Sequence, residues 1–169
     1  MRYASFIPLE SSDLFLFHFK FKFVFTMNRK KIILSMTMKL LLSEKKILQR
    51  VGTLARQISK DFSGRELLMV GVLKGAFVFL ADLARRMKVP VKIDFVRLAS
   101  YGSETCSSGK IRFTKDIEVP LKGKDVLIVE DIIDTGVTLK YLYRCLQARR
   151  PRSLTVVTLL DKPGRRKVP

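Results

Sequence analysis

Residues 126–139 read Val-Leu-Ile-Val-Glu-Asp-Ile-Ile-Asp-Thr-Gly-Val-Thr-Leu. Four apolar strand formers lead into adjacent carboxylates, Glu130 and Asp131. A third acid, Asp134, then opens a run of small and hydroxyl-bearing residues. In an open α/β sheet, ligands lodge at the carboxyl ends of the strands. Residues after such a strand present unpaired N–H groups at a helix start, which suits a phosphate. Gly136 lets the backbone approach closely, and the Thr135 and Thr138 hydroxyls add donors. Glu130 and Asp131 can accept hydrogen bonds from two vicinal sugar hydroxyls, directly or through metal-bound water. An Asp cap on an ordinary strand–turn–helix would explain a lone Asp-x-Gly. It does not explain the whole string, because acids at a buried strand end are costly without a ligand or partner.

Three further stretches carry chemistry. Val70-Gly71-Val72-Leu73-Lys74-Gly75-Ala76-Phe77 is again a buried strand, a tight turn and a helix start. Its Lys74-Gly75 turn can offer backbone donors and a cation to an anion. Residues 99–109, with Ser100, Tyr101 and mostly small polar neighbours, are long for a connection and suit a mobile lid. Leu159-Leu160-Asp161-Lys162-Pro163 closes the last apolar run on a lysine. Standing alone, these read as a solvated turn, a surface hairpin and the start of a basic tail.

Taken together, they resemble the type I phosphoribosyltransferases, most closely the hypoxanthine-guanine branch, over roughly residues 40–169. The resemblance implies purine salvage: a 5-phosphoribosyl group passes from phosphoribosyl pyrophosphate (PRPP) to hypoxanthine or guanine, giving the nucleoside monophosphate and pyrophosphate. It implies that Glu130 and Asp131 hold the ribose hydroxyls and, through water, Mg²⁺. Asp134, Thr135, Gly136, Val137 and Thr138 would wrap the 5′-phosphate, with Asp134 also near purine N7 as general base or acid. Lys74 and Gly75 would take pyrophosphate, in a turn that in this family often has a non-proline cis bond. Ser100 and Tyr101 belong to the loop that closes over the reacting centre. Ile132 and Lys162 face the purine, the Lys162 ammonium donating to the 6-oxo group. Related enzymes are homodimers or homotetramers. In that family the chain continues past a Lys-Val-Pro-like stretch into a strand bearing the aromatic that stacks on the purine, an acid for a second magnesium and an arginine for pyrophosphate. None of these maps before Pro169. The expectation is therefore a fold incomplete at the C-terminus, and a chain that is poorly soluble or inactive.

Positioning such residues requires alternating strands and helices. Ser43 caps a helix in which Ile47, Val51, Leu54, Ala55 and Ile58 recur at helical spacing, ended by Asp61-Phe62-Ser63-Gly64. Strands are predicted over 67–73, 91–98, 111–113, 125–129 and 153–160, and helices over 75–87 and 136–149. The loop 100–109 separates two of the strands. Strands that alternate with helices give an α/β fold, a parallel twisted sheet flanked by helices on both faces.

Residues 1–38 read differently. Seven of the twelve phenylalanines fall in Met1–Phe25, at every second position from Phe15, which is a strand pattern with one aromatic face. Glu10 and Asp13 precede that run and Lys20 and Lys22 interrupt it, so it lacks the order of a secretory signal. This stretch reads as an extension outside the fold, with the phosphoribosyltransferase domain at 39–169. No apolar run approaches the ~20 residues needed to span a bilayer. Cys106 and Cys145 form neither metal spacing nor a disulfide framework, and two lone thiols fit a reducing cytoplasm. The single histidine, His18, lies in the extension, so catalysis rests on no histidine base unless that outlying residue supplies it. The net charge is +18 and is spread along the chain. It fits a basic surface with no specific partner as well as a phosphate-rich substrate, and no helix-turn-helix or aromatic stacking module supports nucleic acid. Three alternatives stay open: a related enzyme specific for xanthine or a pyrimidine, a basic nucleic-acid-binding protein without catalysis, and an inactive truncated product.

Overall fold

The computed structural model describes residues 3–4, 7–8, 22–27, 30–35, 41–101 and 110–168, with side-chain environments for 41–99 and 111–168. The elements in chain order are β1 (Tyr3–Ala4), β2 (Ile7–Pro8), β3 (Lys22–Met27), β4 (Lys30–Ser35), α1 (Glu44–Asp61), β5 (Leu67–Leu73), α2 (Phe77–Ala84), β6 (Val91–Tyr101), β7 (Lys110–Lys115), β8 (Asp125–Ile133), α3 (Val137–Gln147) and β9 (Ser153–Asp161), followed by a 3₁₀ turn (Pro163–Arg165).

The main sheet runs β1-β9-β8-β5-β6-β7, with β2 also on β9. Strands β6, β5, β8 and β9 are mutually parallel, and β7 returns antiparallel to β6. This is the expected α/β architecture. Alternation of side chains across each strand sorts the core into two layers. Leu67, Met69, Leu127, Val129 and Val157 pack beneath α1 and α2, against Val51, Leu54, Ile58, Phe79, Leu80 and Leu83. Leu68, Val70, Val126, Ile128, Leu154 and Val156 pack beneath α3, against Leu139, Leu142 and Leu146. Each fully buried leucine contributes on the order of 1.5–3 kcal/mol. Because both faces are covered, these strands read as continuous apolar runs.

Helix α1 starts where expected: Ser43 Oγ accepts the Lys46 N–H at 3.3 Å, satisfying one first-turn donor. Several predicted boundaries move: α2 ends at Ala84, β7 spans Lys110–Lys115 and α3 spans Val137–Gln147, and three further shifts bear on the site. Strand β8 continues through the acids to Ile133, because β9 carries the ladder on to Ile132↔Leu160 and Ile133↔Asp161. Apolarity ends at Val129, but hydrogen-bonded pairing does not. Helix α2 starts at Phe77 rather than Gly75, since Lys74 and Gly75 are used by a turn with a cis Leu73–Lys74 peptide. Strand β6 reaches Tyr101, because its antiparallel partner pairs Ser100 with Ile111 and Tyr101 with Lys110. The expected lid residues Ser100 and Tyr101 are therefore the end of a strand, and the rest of that loop, 102–109, lies outside the described residues.

In the N-terminal stretch, β3 and β4 form a separate antiparallel pair. The first part of the alternating aromatic run, 15–21, lies outside the described residues. Strands β1 and β2 add in parallel to the edge of β9, with Tyr3 opposite Val156 and Ile7 opposite Leu160.

Two buried aspartates fix this framework away from the acidic motif. Asp94 on β6 accepts the N–H groups of Phe95 (2.7 Å), Glu118 (2.8 Å) and Val119 (3.2 Å), and meets Lys115 Nζ at 3.4 Å. Burial pushes its carboxyl upward, but these donors outweigh it and hold the group below the usual carboxylate range. Asp125, at the start of β8, is 0% exposed. It accepts from Ser153 Oγ at 2.6 Å, pairs with Arg152, and lies 3.4 Å from Arg65 Nη1. Burial again pushes upward and is outweighed, here by Arg152, Ser153 and the Arg65 charge, so this carboxyl too is lowered.

Candidate active site

The order β9-β8-β5-β6 has a reversal built into it. From β5 the chain crosses by α2, on one face, to β6; from β8 it crosses by α3, on the other face, to β9. The carboxyl ends of β5 and β8 are thus adjacent, while the helices that follow diverge. A crevice opens at such a switch point, and open α/β sheets bind ligands there. The Lys74–Gly75 turn leaves β5 at this crevice, and Glu130, Asp131 and Asp134 leave β8.

The two motifs touch. A Cβ on Gly75 would lie 2.4 Å from Asp131 Oδ2 and 2.8 Å from its Cγ. Only glycine lets this turn close on the carboxylate. Asp131 Oδ1 also accepts the Ile132 N–H at 2.9 Å. Beside it, Glu130 is largely buried, and burial pushes its carboxyl up to about 9, reinforced by hydrogen bonding to Asp131 and by that neighbour's negative charge. Two adjacent carboxyl groups, one of them destabilised as an anion, are a donor set that could hold a divalent cation. Among the described residues, no cluster of three or more His, Cys, Asp or Glu could cage a metal. The pair therefore suits a hard ion that keeps most of its waters and binds through one or two carboxylates plus a phosphorylated ligand.

The loop after β8 forms the third wall. Gly136 adopts φ +79° as the N-cap of α3 and offers no side-chain cap. Val137 N–H reaches Thr135 Oγ1 at 3.4 Å, while Val137 and Thr138 are exposed. Donors of an uncapped first turn and the positive end of the helix dipole thus face outward, as an anion requires.

Residues 162–168 cross over this loop. Lys162 N–H donates to Ile133 O at 3.0 Å, and Lys167 N–H donates to Thr135 O at 2.9 Å. Arg165 Nε lies 3.0 Å from Asp134 Oδ1. Arg166 pairs with the buried Asp161 at the end of β9. A Cβ on Gly136 would fall 2.9 Å from Val168 Cγ2, so this glycine is needed for the close approach as well as for its φ. The half-buried Ile132, opposite Leu160, and Lys162 border the same region.

The expected residues Lys74, Gly75, Glu130, Asp131, Ile132, Asp134, Thr135, Gly136, Val137, Thr138 and Lys162 therefore all lie at the carboxyl ends of β5, β8 and β9. Ser100 and Tyr101 end β6, one strand further out. Sequence reasoning missed Arg165 and Lys167, which read as part of a basic tail, and Val168 beside them. A signal was present in Asp161, an acid ending a buried strand just before a basic run, which needs a partner from that run. A model of the phosphoribosyl transferase domain family matches residues 38–169.

The chain belongs to this family.

Among its phosphoribosyltransferase relatives, the hypoxanthine phosphoribosyltransferase of Salmonella typhimurium is 45% identical over 134 residues, covering 78% of this chain and 75% of that one. The hypoxanthine-guanine phosphoribosyltransferase of Mycobacterium tuberculosis is 48% identical over 129 residues, or 73% of this chain and 64% of its own length. A crystal structure of a hypoxanthine-guanine phosphoribosyltransferase from Bacillus anthracis superposes with a TM-score of 0.72 at 49% identity, covering 76% of each chain. The phosphoribosyltransferase fold expected from the motifs is thus the fold observed.

Proposed function

We propose that this chain transfers the 5-phosphoribosyl group of PRPP to hypoxanthine or guanine, giving IMP or GMP and pyrophosphate. The observation that carries the reading is the contact between the Glu130–Asp131 pair and the Lys74–Gly75 turn at the switch point, with the uncapped start of α3 alongside. This supports sugar, pyrophosphate and 5′-phosphate subsites next to one another. The named activities of the relatives support the same substrates.

In this reading Asp134, Thr135, Gly136, Val137 and Thr138 hold the 5′-phosphate, and Lys74 and Gly75 hold pyrophosphate. Anchoring both anionic ends fixes the sugar between them, which lowers the entropic barrier. Glu130 and Asp131 take the ribose hydroxyls and, through water, Mg²⁺. When bound, Mg²⁺ supplies charge neutralisation on the departing pyrophosphate. Purine N9 attacks C1 as the C1–O bond to pyrophosphate breaks, and Asp134 manages the proton that the purine loses or relocates at N7. Lys162 donates to the 6-oxo group, which excludes adenine because adenine presents a donor at that position. Ile132 packs against the base. Ser100 and Tyr101 belong to the lid and shield the reacting centre from water.

We place the catalytic unit in residues 39–169, with 1–38 outside it; the family match beginning at residue 38 supports this. Phe77, Val78 and Ile93 are large apolar side chains left exposed, and they support self-association as a dimer or tetramer. Among the described residues no helix is long and apolar enough to cross a membrane, and Cys145 is a free thiol, both of which support a cytoplasmic location.

The test is turnover of hypoxanthine and guanine with PRPP and Mg²⁺, run beside Asp134→Asn, with PRPP binding followed by calorimetry. Turnover of either base, lowered roughly 10²–10⁴-fold by the substitution, is expected. Turnover confined to xanthine or a pyrimidine would replace the substrate assignment. A chain that binds no PRPP in the presence of Mg²⁺ would overturn the reading.

A further inference from the structure

Among the described residues, Asp134 differs from the other two acids of the site in having a cation from its own chain against it. Arg165 Nε stands 3.0 Å from Oδ1. That oxygen is sealed from solvent and accepts no aligned hydrogen bond, although the Asp134 side chain as a whole is 41% exposed. Arg165 therefore covers one carboxylate oxygen, and the exposed part of the group is its remainder. An Asp carboxylate left to itself turns easily about its last torsion, which is broad and roughly two-fold.

The guanidinium is not a loose surface charge. Arg165 lies in the one-turn 3₁₀ segment Pro163–Arg165, and its own N–H donates to Lys162 O at 3.0 Å. The segment is tied down on both sides of it, by Lys162 N–H to Ile133 O and by Lys167 N–H to Thr135 O. Arg166, next in sequence, is anchored on buried Asp161. Those ties fall on the residues flanking Asp134, so the distance between Arg165 and Asp134 is set by backbone on both sides. A half-exposed ion pair does little for stability. Its consequence here is orientation.

We propose that Arg165 is a positioning residue that pins Oδ1 of Asp134 and so presents Oδ2 to the purine. This rests on the proposed role of Asp134 in handling the purine proton. The assignment makes the segment 162–168 a two-function element. Lys162 addresses the base, and three residues later Arg165 orients the group that exchanges a proton with that base.

The experiment compares the full-length chain with Arg165→Ala, Arg165→Lys and Asp134→Asn, and with the double variant Arg165→Ala/Asp134→Asn. Misplacing a reacting group by about 1 Å can cost on the order of 100-fold in rate. Arg165→Ala is expected to lower kcat by roughly 10- to 100-fold with KM for PRPP little changed. Arg165→Lys should recover part of the loss. Asp134→Asn should leave a residual rate roughly 10²–10⁴-fold down, and in single-turnover assays at high enzyme concentration the Arg165→Ala effect on that residual rate should vanish, as it must if Arg165 acts through Asp134. An equal effect in both backgrounds, or a rise in KM for PRPP with kcat unchanged, would overturn the proposal. Side-chain carboxyl ¹³C NMR on the unliganded chain reads the contact without turnover. The Asp134 Cγ resonance should move in Arg165→Ala while those of Asp94 and Asp125 stay in place. If it does not move, the contact is absent and the proposal fails, whether or not the chain turns over. If it moves in a chain that shows no turnover, the positioning contact stands and the functional reading is what has failed.

Discussion

Replacing Gly75 with alanine isolates the contact on which the site is built. Gly75 does not have a positive φ, so alanine fits its backbone and the penalty is steric alone. The added methyl would stand 2.4 Å from Asp131 Oδ2, 2.8 Å from Cγ and 2.9 Å from Oδ1, which are all carboxylate atoms. Ordinary contact begins near 3.4 Å, so the carboxylate or the turn must retreat by about 1 Å. Gly75 is exposed, and Asp131 is not part of either core cluster, so the movement is absorbed locally. Stability should fall by no more than about 1–2 kcal/mol, the lower range of overpacking costs. Function should suffer more, because the displaced group is the one assigned to the ribose hydroxyls. A loss on the order of 100-fold in kcat/KM for PRPP is expected. Steady-state kinetics with PRPP varied, alongside a thermal melt, separates the two effects. Gly123→Ala is the control. Its φ is +74° with nothing within 4 Å of the new methyl, so it should lose about 1 kcal/mol through backbone strain and retain activity. If Gly75→Ala keeps full kcat/KM and PRPP affinity, the assignment of Asp131 to the substrate is wrong.

Asp125→Asn tests the buried network at the start of β8. The folded carboxyl is lowered, so its stabilisation is present above the unfolded pKa near 3.8 and is lost as pH falls through the folded value. The variant should be about 2 kcal/mol less stable at pH 7, and the gap should close in strong acid, as read by urea melts across pH. Glu130 behaves in the opposite sense, because its folded carboxyl is raised from 4.5 to about 9 and stability drains away as pH rises across that window. Glu130→Gln should therefore match the unaltered chain near pH 5 and exceed it in Tm near pH 9, while Mg²⁺-dependent PRPP binding is lost; a lower Tm at pH 9 would contradict the protonated state. Deleting residues 1–38 should leave the α1-to-β9 framework folded but raise amide exchange along Val156–Asp161, where β1 and β2 pair. Unchanged exchange there would show that those strands do not cover the edge in solution.

The sequence made the framework legible wherever burial was one-sided or complete. The spacing of Val51, Leu54, Ala55 and Ile58 and the Ser43 cap placed α1 to the residue at its start. Doubly buried runs placed the cores of β5, β8 and β9. What escaped were features created by partners distant in sequence. The ladder extending β8 past Val129 belongs to β9, and the closure of Gly75 on Asp131 joins residues 56 positions apart, which no local pattern records. Lys162 was found through family resemblance. Arg165 was not, because a cation in a basic run looks solvated until the turn that aims it is known. The pairing of β1 and β2 with β9 left no trace in a two-residue pattern.

The buried Asp125 has a consequence for how the crevice works. It joins the amino-terminal ends of three neighbouring strands, reaching Ser153 and Arg152 at β9 and Arg65 just before β5. At the opposite ends of the same strands, Glu130 and Asp131 crowd one another, while the 162–168 segment ties the ends of β8 and β9 together. Register is locked some twenty ångströms from the chemistry, the span of a strand of about six residues. Side chains at the crevice can therefore be replaced or re-aimed for charged ligands without any strand slipping against its neighbour.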